Sequence, residues 1–249
     1  MRKFGLIGYP LGHSFSKKYF TEKFSTEHIK NCFYENYPIP SIDQLPDLIT
    51  DSCLEGLNVT IPYKSAVIKY LDKSDPEADA VGAVNVIRIN RRNNKTELYG
   101  FNSDITGIRD TISPLLNRRI KNALVLGTGG SSKAVCFVLK RLSVPYTLIS
   151  REKKSSCLTY SELTPELMRK SRLIINTTPL GMYPDIESKP DLRYEFLGSK
   201  HILFDLVYNP EMTAFLKTGK DRGCTLISGL KMLYSQAERS WEIWNSENL

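Results

Sequence analysis

One stretch near the middle of the chain constrains the fold more than any other. Residues 121–142 read KNALVLGTGGSSKAVCFVLKRL: a short apolar run, a glycine-rich turn, then an amphipathic segment. A buried strand that ends in Gly-x-Gly and runs straight into a helix is the opening unit of a doubly wound dinucleotide-binding sheet. Gly127 permits the tight turn. Gly129 has no Cβ, so a pyrophosphate can reach the backbone N–H groups at the helix start, where an anion is favoured. Ser132 stands where a third glycine is usual, a position that needs only a small side chain. The nucleotide-contacting stretch is therefore expected at Gly127, Thr128, Gly129, Gly130 and Ser131. Because this unit sits mid-chain, the residues before it must form a separate structure.

The rest of the chain alternates short apolar runs with amphipathic stretches, the pattern of an α/β fold. Upstream, strands are expected at 3–8, 32–39 and 54–60, and a helix from near Ser14. A further helix is expected over 41–52 with Ser41 as its cap, and another with Pro62 in its first turn. The runs 83–90 and 96–101 read as a hairpin around the polar RRNNK. Downstream of Asp104, strands at 146–152, 172–178, 201–208 and 224–228 follow the glycine turn, with helical stretches at 164–171 and 209–223 between them. A last helix over 229–244 carries Leu230, Leu233, Ala237, Trp241 and Trp244 at helical spacing. The expected domains are 1–103, with 229–249 packing back on it, and 104–228.

Composition excludes several classes. The net charge of +7 is spread along the chain, with only small basic clusters at 91–95 and 117–121, which argues against nucleic acid and suits small carboxylates and phosphates. No apolar run approaches the roughly 18–20 residues that cross a bilayer, so no membrane partner is expected. The five cysteines are odd in number and contain no CxxC, so neither a disulfide framework nor a zinc site is expected and a reducing cytoplasm fits. The three histidines form no HExxH, and no metal is expected.

The strand after the glycine turn ends in LIS with Arg151 next. An acidic residue there would bond the ribose 2′-OH of NAD; an arginine can hold the 2′-phosphate of NADP. Arg151 therefore points to NADP, with Glu152 working against it. A second feature stands in the first part. NVTIPYK, 58–64, threads Asn58, Thr60 and Lys64 through an apolar run, as the wall of a polar pocket would.

Several stretches together resemble the bacterial shikimate dehydrogenase family: GYPLGHSFS (8–16), GLNVTIPYK (56–64), GAVNV (82–86), GFNSD (100–104), LGTGGSSK (126–133), IINTTPLGM (174–182), FDLVY (204–208) and SGLKMLYSQA (228–237). They occur in family order and span almost the whole chain. The resemblance implies an N-terminal α/β substrate domain, a doubly wound (Rossmann-type) NADP domain and a C-terminal helix returning to the first. It implies reversible, NADPH-dependent reduction of 3-dehydroshikimate to shikimate in the chorismate pathway, by a cytoplasmic monomer or homodimer. By position, Ser14 and Ser16 would bind the substrate carboxylate with Tyr208, and Thr60, Asn85 and Gln236 would hold hydroxyls. Lys64 and Asp104 would be the catalytic pair, and Thr177 and Gly229 would join the glycine turn and Arg151 at the cofactor. Asn58 is expected to pin nearby backbone and His13 to be structural. The chain departs from the family at Lys17, where a proline is usual, and at Ser150-Arg151-Glu152, where Asn-Arg-Thr is usual. The segment 153–170 is too short for the usual helix, so a trimmed edge is expected beside the adenosine.

The chemistry implied suits those residues. A ketone that accepts hydride develops alkoxide charge, which a cation about 3 Å away stabilises and a proton completes. Lysine can supply both, with Asp104 orienting it while also capping a helix. Two other readings remain at this stage: a quinate/shikimate dehydrogenase with relaxed NAD/NADP use, and a non-catalytic ligand-binding regulator on the same fold.

Overall fold

The computed structural model describes residues 1–11, 15–93, 95–118 and 120–246. The chain folds as two compact units: Met1–Ser103 with Ala237–Leu249, and Asp104–Gln236. No helix among the described residues is long and apolar enough to cross a membrane.

The first unit contains strands β1 (Arg2–Gly8), β2 (Cys32–Pro38), β3 (Leu54–Val59), β4 (Lys73–Ser74), β5 (Val86–Arg92) and β6 (Lys95–Phe101), with helices α1 (Phe15–Thr26), α2 (Leu45–Leu48) and α3 (Pro76–Val81). The sheet order is β2-β1-β3-β5-β6-β4. β1 pairs parallel with β2 and β3, while β5 runs antiparallel to both β3 and β6. Alternation along the strands supplies two cores. On one face Ile7, Leu57, Val59, Ile87, Ile89 and Leu98 pack with Tyr63 and Val67. On the other Phe4, Leu6, Val86 and Phe101 pack with Phe20, Phe24, Tyr34 and Trp244. Trp244 stacks on Phe4 with centroids 4.8 Å apart and donates its indole N–H to the Ile87 carbonyl at 3.1 Å. Gly56 makes room for that indole: a Cβ there would stand 2.3 Å from Trp244 Nε1.

Local sequence explains α3. Asp75 accepts from the N–H groups of Glu77 and Ala78, Pro76 occupies the first turn, and Gly82 ends the helix at φ 64°. Two expectations need correction here. In 41–52 Ser41 does cap the start, its hydroxyl accepting from the Asp43 N–H at 3.2 Å, but it caps a 3-10 turn, Ile42–Gln44, followed by only four α-helical residues. Asp51 is drawn instead to Lys3 at 2.7 Å and to the N–H of Cys53. Pro62 starts no α-helix. Tyr63 N–H closes a turn on Thr60 O, and the buried Tyr63 ring donates its hydroxyl to Ile39 O; a 3-10 helix, Ala66–Tyr70, follows.

The second unit begins with α4 (Asp104–Ile112). It continues through β7 (Ala123–Leu126), α5 (Gly130–Arg141), β8 (Tyr146–Ser150), β9 (Leu158–Thr159), α6 (Pro165–Lys170), β10 (Leu173–Asn176), β11 (Ile202–Asp205), α7 (Ala214–Asp221), β12 (Thr225–Ile227) and α8 (Leu230–Asn245). Its sheet is parallel throughout, in the order β12-β11-β10-β7-β8-β9. Strand order reverses direction at the β7–β10 pair. That pair is the switch point where open α/β sheets bind ligands beyond their strand carboxyl ends. Ala237, Ile243 and Trp244 of α8 belong to the core of the first unit.

Candidate active site

At the carboxyl end of β7 the chain turns through Gly127 at φ +108°, a conformation other residues rarely adopt. A Cβ there would also stand 2.8 Å from Thr177 Oγ1. Thr177, leaving the adjacent β10, donates both its N–H (3.0 Å) and its hydroxyl (2.6 Å) to Leu126 O. Its hydroxyl thus clasps the two strand ends together. Gly129 is the N-cap of α5, and a Cβ on it would meet nothing within 4 Å. Open space in front of the first helical N–H groups, at Gly130 and Ser131, is what an anion needs. Ser132 is buried, as the third position of the motif requires.

The basic residues after β8 separate into different environments. Lys153 is paired with Glu162, which is held down to about 2 by that ammonium and by the Thr159 N–H. Lys154 reaches back to Thr128 Oγ1 at 3.1 Å, inside the glycine turn. Arg151 is exposed, and among the described residues neither it nor Lys154 has a carboxylate partner. Lys154 is thus a cation at the glycine turn that sequence reading did not assign to the site. The only signal was its place three residues after Arg151.

At the carboxyl end of β11, Asp205 organises the loop that carries Tyr208. It has no exposed surface, and one oxygen accepts from Asn176 Nδ2 (2.9 Å) and Val207 N–H (3.0 Å). The other accepts from the Thr213 hydroxyl at 2.6 Å, which in turn caps α7. Burial pushes the carboxyl up to about 6 despite those donors. Gly229, just before α8, packs against the same segment: a Cβ would stand 2.4 Å from Leu206 O. Gln236 is half-buried on α8, and Asp104, buried, is the first residue of α4.

In the first unit Thr60 and Lys64 lie on the turn leaving β3. Thr60 N–H bonds Ile7 O at 2.9 Å, and its methyl faces Gly8, where a Cβ would come within 2.4 Å. The Lys64 carbonyl accepts from Val84 N–H at 2.7 Å, fixing the turn against the segment that carries Asn85. Asn85 is buried. Its Oδ1 accepts Ser103 N–H at 2.7 Å and its Nδ2 donates to Ser103 Oγ at 3.1 Å. Asn58 donates to Asn85 O at 3.4 Å and to Ser240 Oγ at 2.9 Å, and accepts from the Tyr34 hydroxyl at 2.8 Å. Tyr34 is buried, and burial raises its phenol far above the usual tyrosine range, with Ser16 at the start of α1 acting in the opposite direction.

Structure therefore ties Asn85 into a buried polar network with Tyr34, Asn58, Ser103 and Ser240, and sets Thr60 and Lys64 on a single braced turn. In the second unit it gathers Gly127, Thr128, Gly129, Gly130, Ser131 and Thr177 at the switch point, with Arg151 one residue past β8. Ser14 and His13 lie outside the described residues. Among the described residues no cluster of His, Cys, Asp or Glu could hold a metal ion. Tyr34, Ser103, Ser240 and Asp205 were not read from sequence as part of any site; their partners lie far away along the chain.

Comparison with known proteins follows the same lines. Residues 6–87 match the family model of the shikimate dehydrogenase substrate binding domain. A shikimate dehydrogenase (NADP(+)) of Methanococcus aeolicus is 36% identical over 258 aligned positions, covering 96% of this chain and 90% of that protein. Shikimate dehydrogenase 1 of Peptoclostridium difficile superposes with a TM-score of 0.82 at 36% identity, covering 100% of this chain and 93% of that one. Shikimate 5-dehydrogenase of Thermus thermophilus, solved with NADP(H) and shikimate, gives a TM-score of 0.84 at 28% identity, covering 98% of this chain and 94% of that one.

Proposed function

The chain belongs to the shikimate dehydrogenase family, and from that membership we propose that it is an NADP-dependent oxidoreductase interconverting 3-dehydroshikimate and shikimate on the route to aromatic amino acids. The observation that carries this is likeness at 36% identity over 96% of the chain to a protein of that activity.

The residues present fit the cofactor. Gly129 leaves the start of α5 open, Gly127 holds the turn, and Arg151 with Lys154 offers two cations on the side where a 2′-phosphate lies. Gly127 to Ser131 would hold the pyrophosphate, with Thr177 bracing the turn and Gly229 letting the chain pass close to the β11 exit. When bound, the nicotinamide supplies or receives the hydride. Everything else falls to the chain. Lys64 places an ammonium at the reacting oxygen, stabilises developing alkoxide charge and gives up a proton in the reducing direction. Asp104 orients Lys64 and a substrate hydroxyl. Ser14, Ser16 and Tyr208 bind the carboxylate, and Thr60, Asn85 and Gln236 the ring hydroxyls. All five cysteines are free, which suits a reducing cytoplasm.

The test is direct. Purified protein mixed with shikimate and NADP should raise the reduced-nicotinamide absorbance only when both are present. No rise from pH 6 to pH 10 would contradict the proposal.

A further inference from the structure

We propose that Tyr34 and Ser240 are positioning residues for substrate, holding Asn85 in register through a buried chain of hydrogen bonds; this rests on the assignment of Asn85 to shikimate. The chain of contacts is continuous. Tyr34 donates its phenol O–H to Asn58 Oδ1 at 2.8 Å. Asn58 Nδ2 donates to Ser240 Oγ at 2.9 Å, Ser240 Oγ lies 3.2 Å from Ser103 Oγ, and Ser103 is bonded twice to the Asn85 amide. Tyr34, Asn58, Ser240, Ser103 and Asn85 are all buried, so water does not compete for these bonds.

Fold stability alone is a poor reason for such a network. A buried polar chain gives up hydration that its own bonds must replace, and an apolar core of the same shape does as well or better. What the network does supply is orientation. Asn58 is its pivot, with its carbonyl end set by Tyr34 and its amide end by Ser240 and by the Asn85 carbonyl. Removing either partner leaves one end of a buried amide unsatisfied and lets it turn. That loosens Asn85, whose carbonyl accepts from Asn58 and whose amide is held by Ser103. Ser240 also lies one helical turn past Gln236, so the bond that seats Ser240 sets the rotation of α8 for Gln236 as well. Ser103, the link before Asn85, immediately precedes Asp104 in sequence.

Tyr34→Phe and Ser240→Ala test this. The phenylalanine keeps the ring stacked on Phe20, whose centroid is 4.6 Å away, so that variant carries the test alone should Ser240→Ala fail to fold. Each variant should raise the KM for shikimate about tenfold, the effect of losing one well-placed hydrogen bond. The Kd for shikimate, measured calorimetrically without cofactor, should rise in parallel, while kcat and the KM for NADP stay within twofold. The double variant should be no worse than about the larger single effect, because both changes free the same amide. Shikimate KM and Kd within twofold of wild type in Tyr34→Phe, or a fall in Tm with no change in KM, would overturn the proposal and leave a core network only. Wild-type protein that turns over no shikimate would instead overturn the function on which the proposal rests.

Discussion

Asp205→Asn isolates one buried charge. The carboxyl is raised from an ordinary 3.8 to about 6 by burial, its three donors opposing the shift. Between those two values the folded protein holds a proton that the unfolded chain has already released. Stability therefore falls as pH rises through this window. Below about pH 3 both states are protonated and the contribution is intact; above about pH 7 both are ionised and the loss is complete. A rise of about two units, at about 1.4 kcal/mol each, makes that loss about 3 kcal/mol. Asparagine is close to isosteric and does not titrate. Its carbonyl can accept from Asn176 and Val207 as Asp205 Oδ1 does, and its amide can donate to Thr213 Oγ1. Urea unfolding of both proteins from pH 4 to pH 8 provides the assay, the difference between the curves cancelling every other titrating group. Wild type should lose about 2 kcal/mol of that total relative to Asp205→Asn between pH 4 and pH 6.5. A pH-independent difference would show that the buried carboxylate is not perturbed as the geometry requires.

Two further outcomes follow from the same structure. Arg151→Ala and Lys154→Ala should each raise the KM for NADP about tenfold while leaving the KM for NAD within twofold, because only NADP carries the 2′-phosphate; equal shifts for both cofactors in steady-state assays would contradict that role. Gly56→Ala should lower unfolding stability by about 1–3 kcal/mol, since its methyl enters the space of the Trp244 indole at 2.3 Å and the stack on Phe4 must shift; an unchanged urea midpoint would mean the cluster has slack.

Local chemistry was readable in the sequence, and long-range pairing was not. The β7 turn and α5 declare themselves because glycine spacing, apolar run and helix start are contiguous. The β5–β6 hairpin is equally local, two alternating runs about a polar turn. The stretch 41–52 is helical only over 42–48, because its end is claimed by Asp51, which is drawn to Lys3 and to the Cys53 N–H. Sites divide the same way. A glycine turn is a local signature, but nothing near Tyr34 announces that its hydroxyl meets Asn58, or that Asn58 meets Ser240 from the last helix. Those bonds exist only once β2, β3 and α8 are packed. Asp205 likewise reads as one more polar residue after an apolar run until Asn176 and Thr213 are brought to it.

The measurement that bears most directly on the proposed chemistry is the turnover of Lys64→Met with shikimate and NADP, followed at the reduced-nicotinamide band beside wild type. Loss of the ammonium should lower kcat about 10³-fold, with the KM for shikimate within about fivefold and the circular dichroism unchanged. A kcat within tenfold of wild type would show that the proton and the charge stabilisation come from elsewhere.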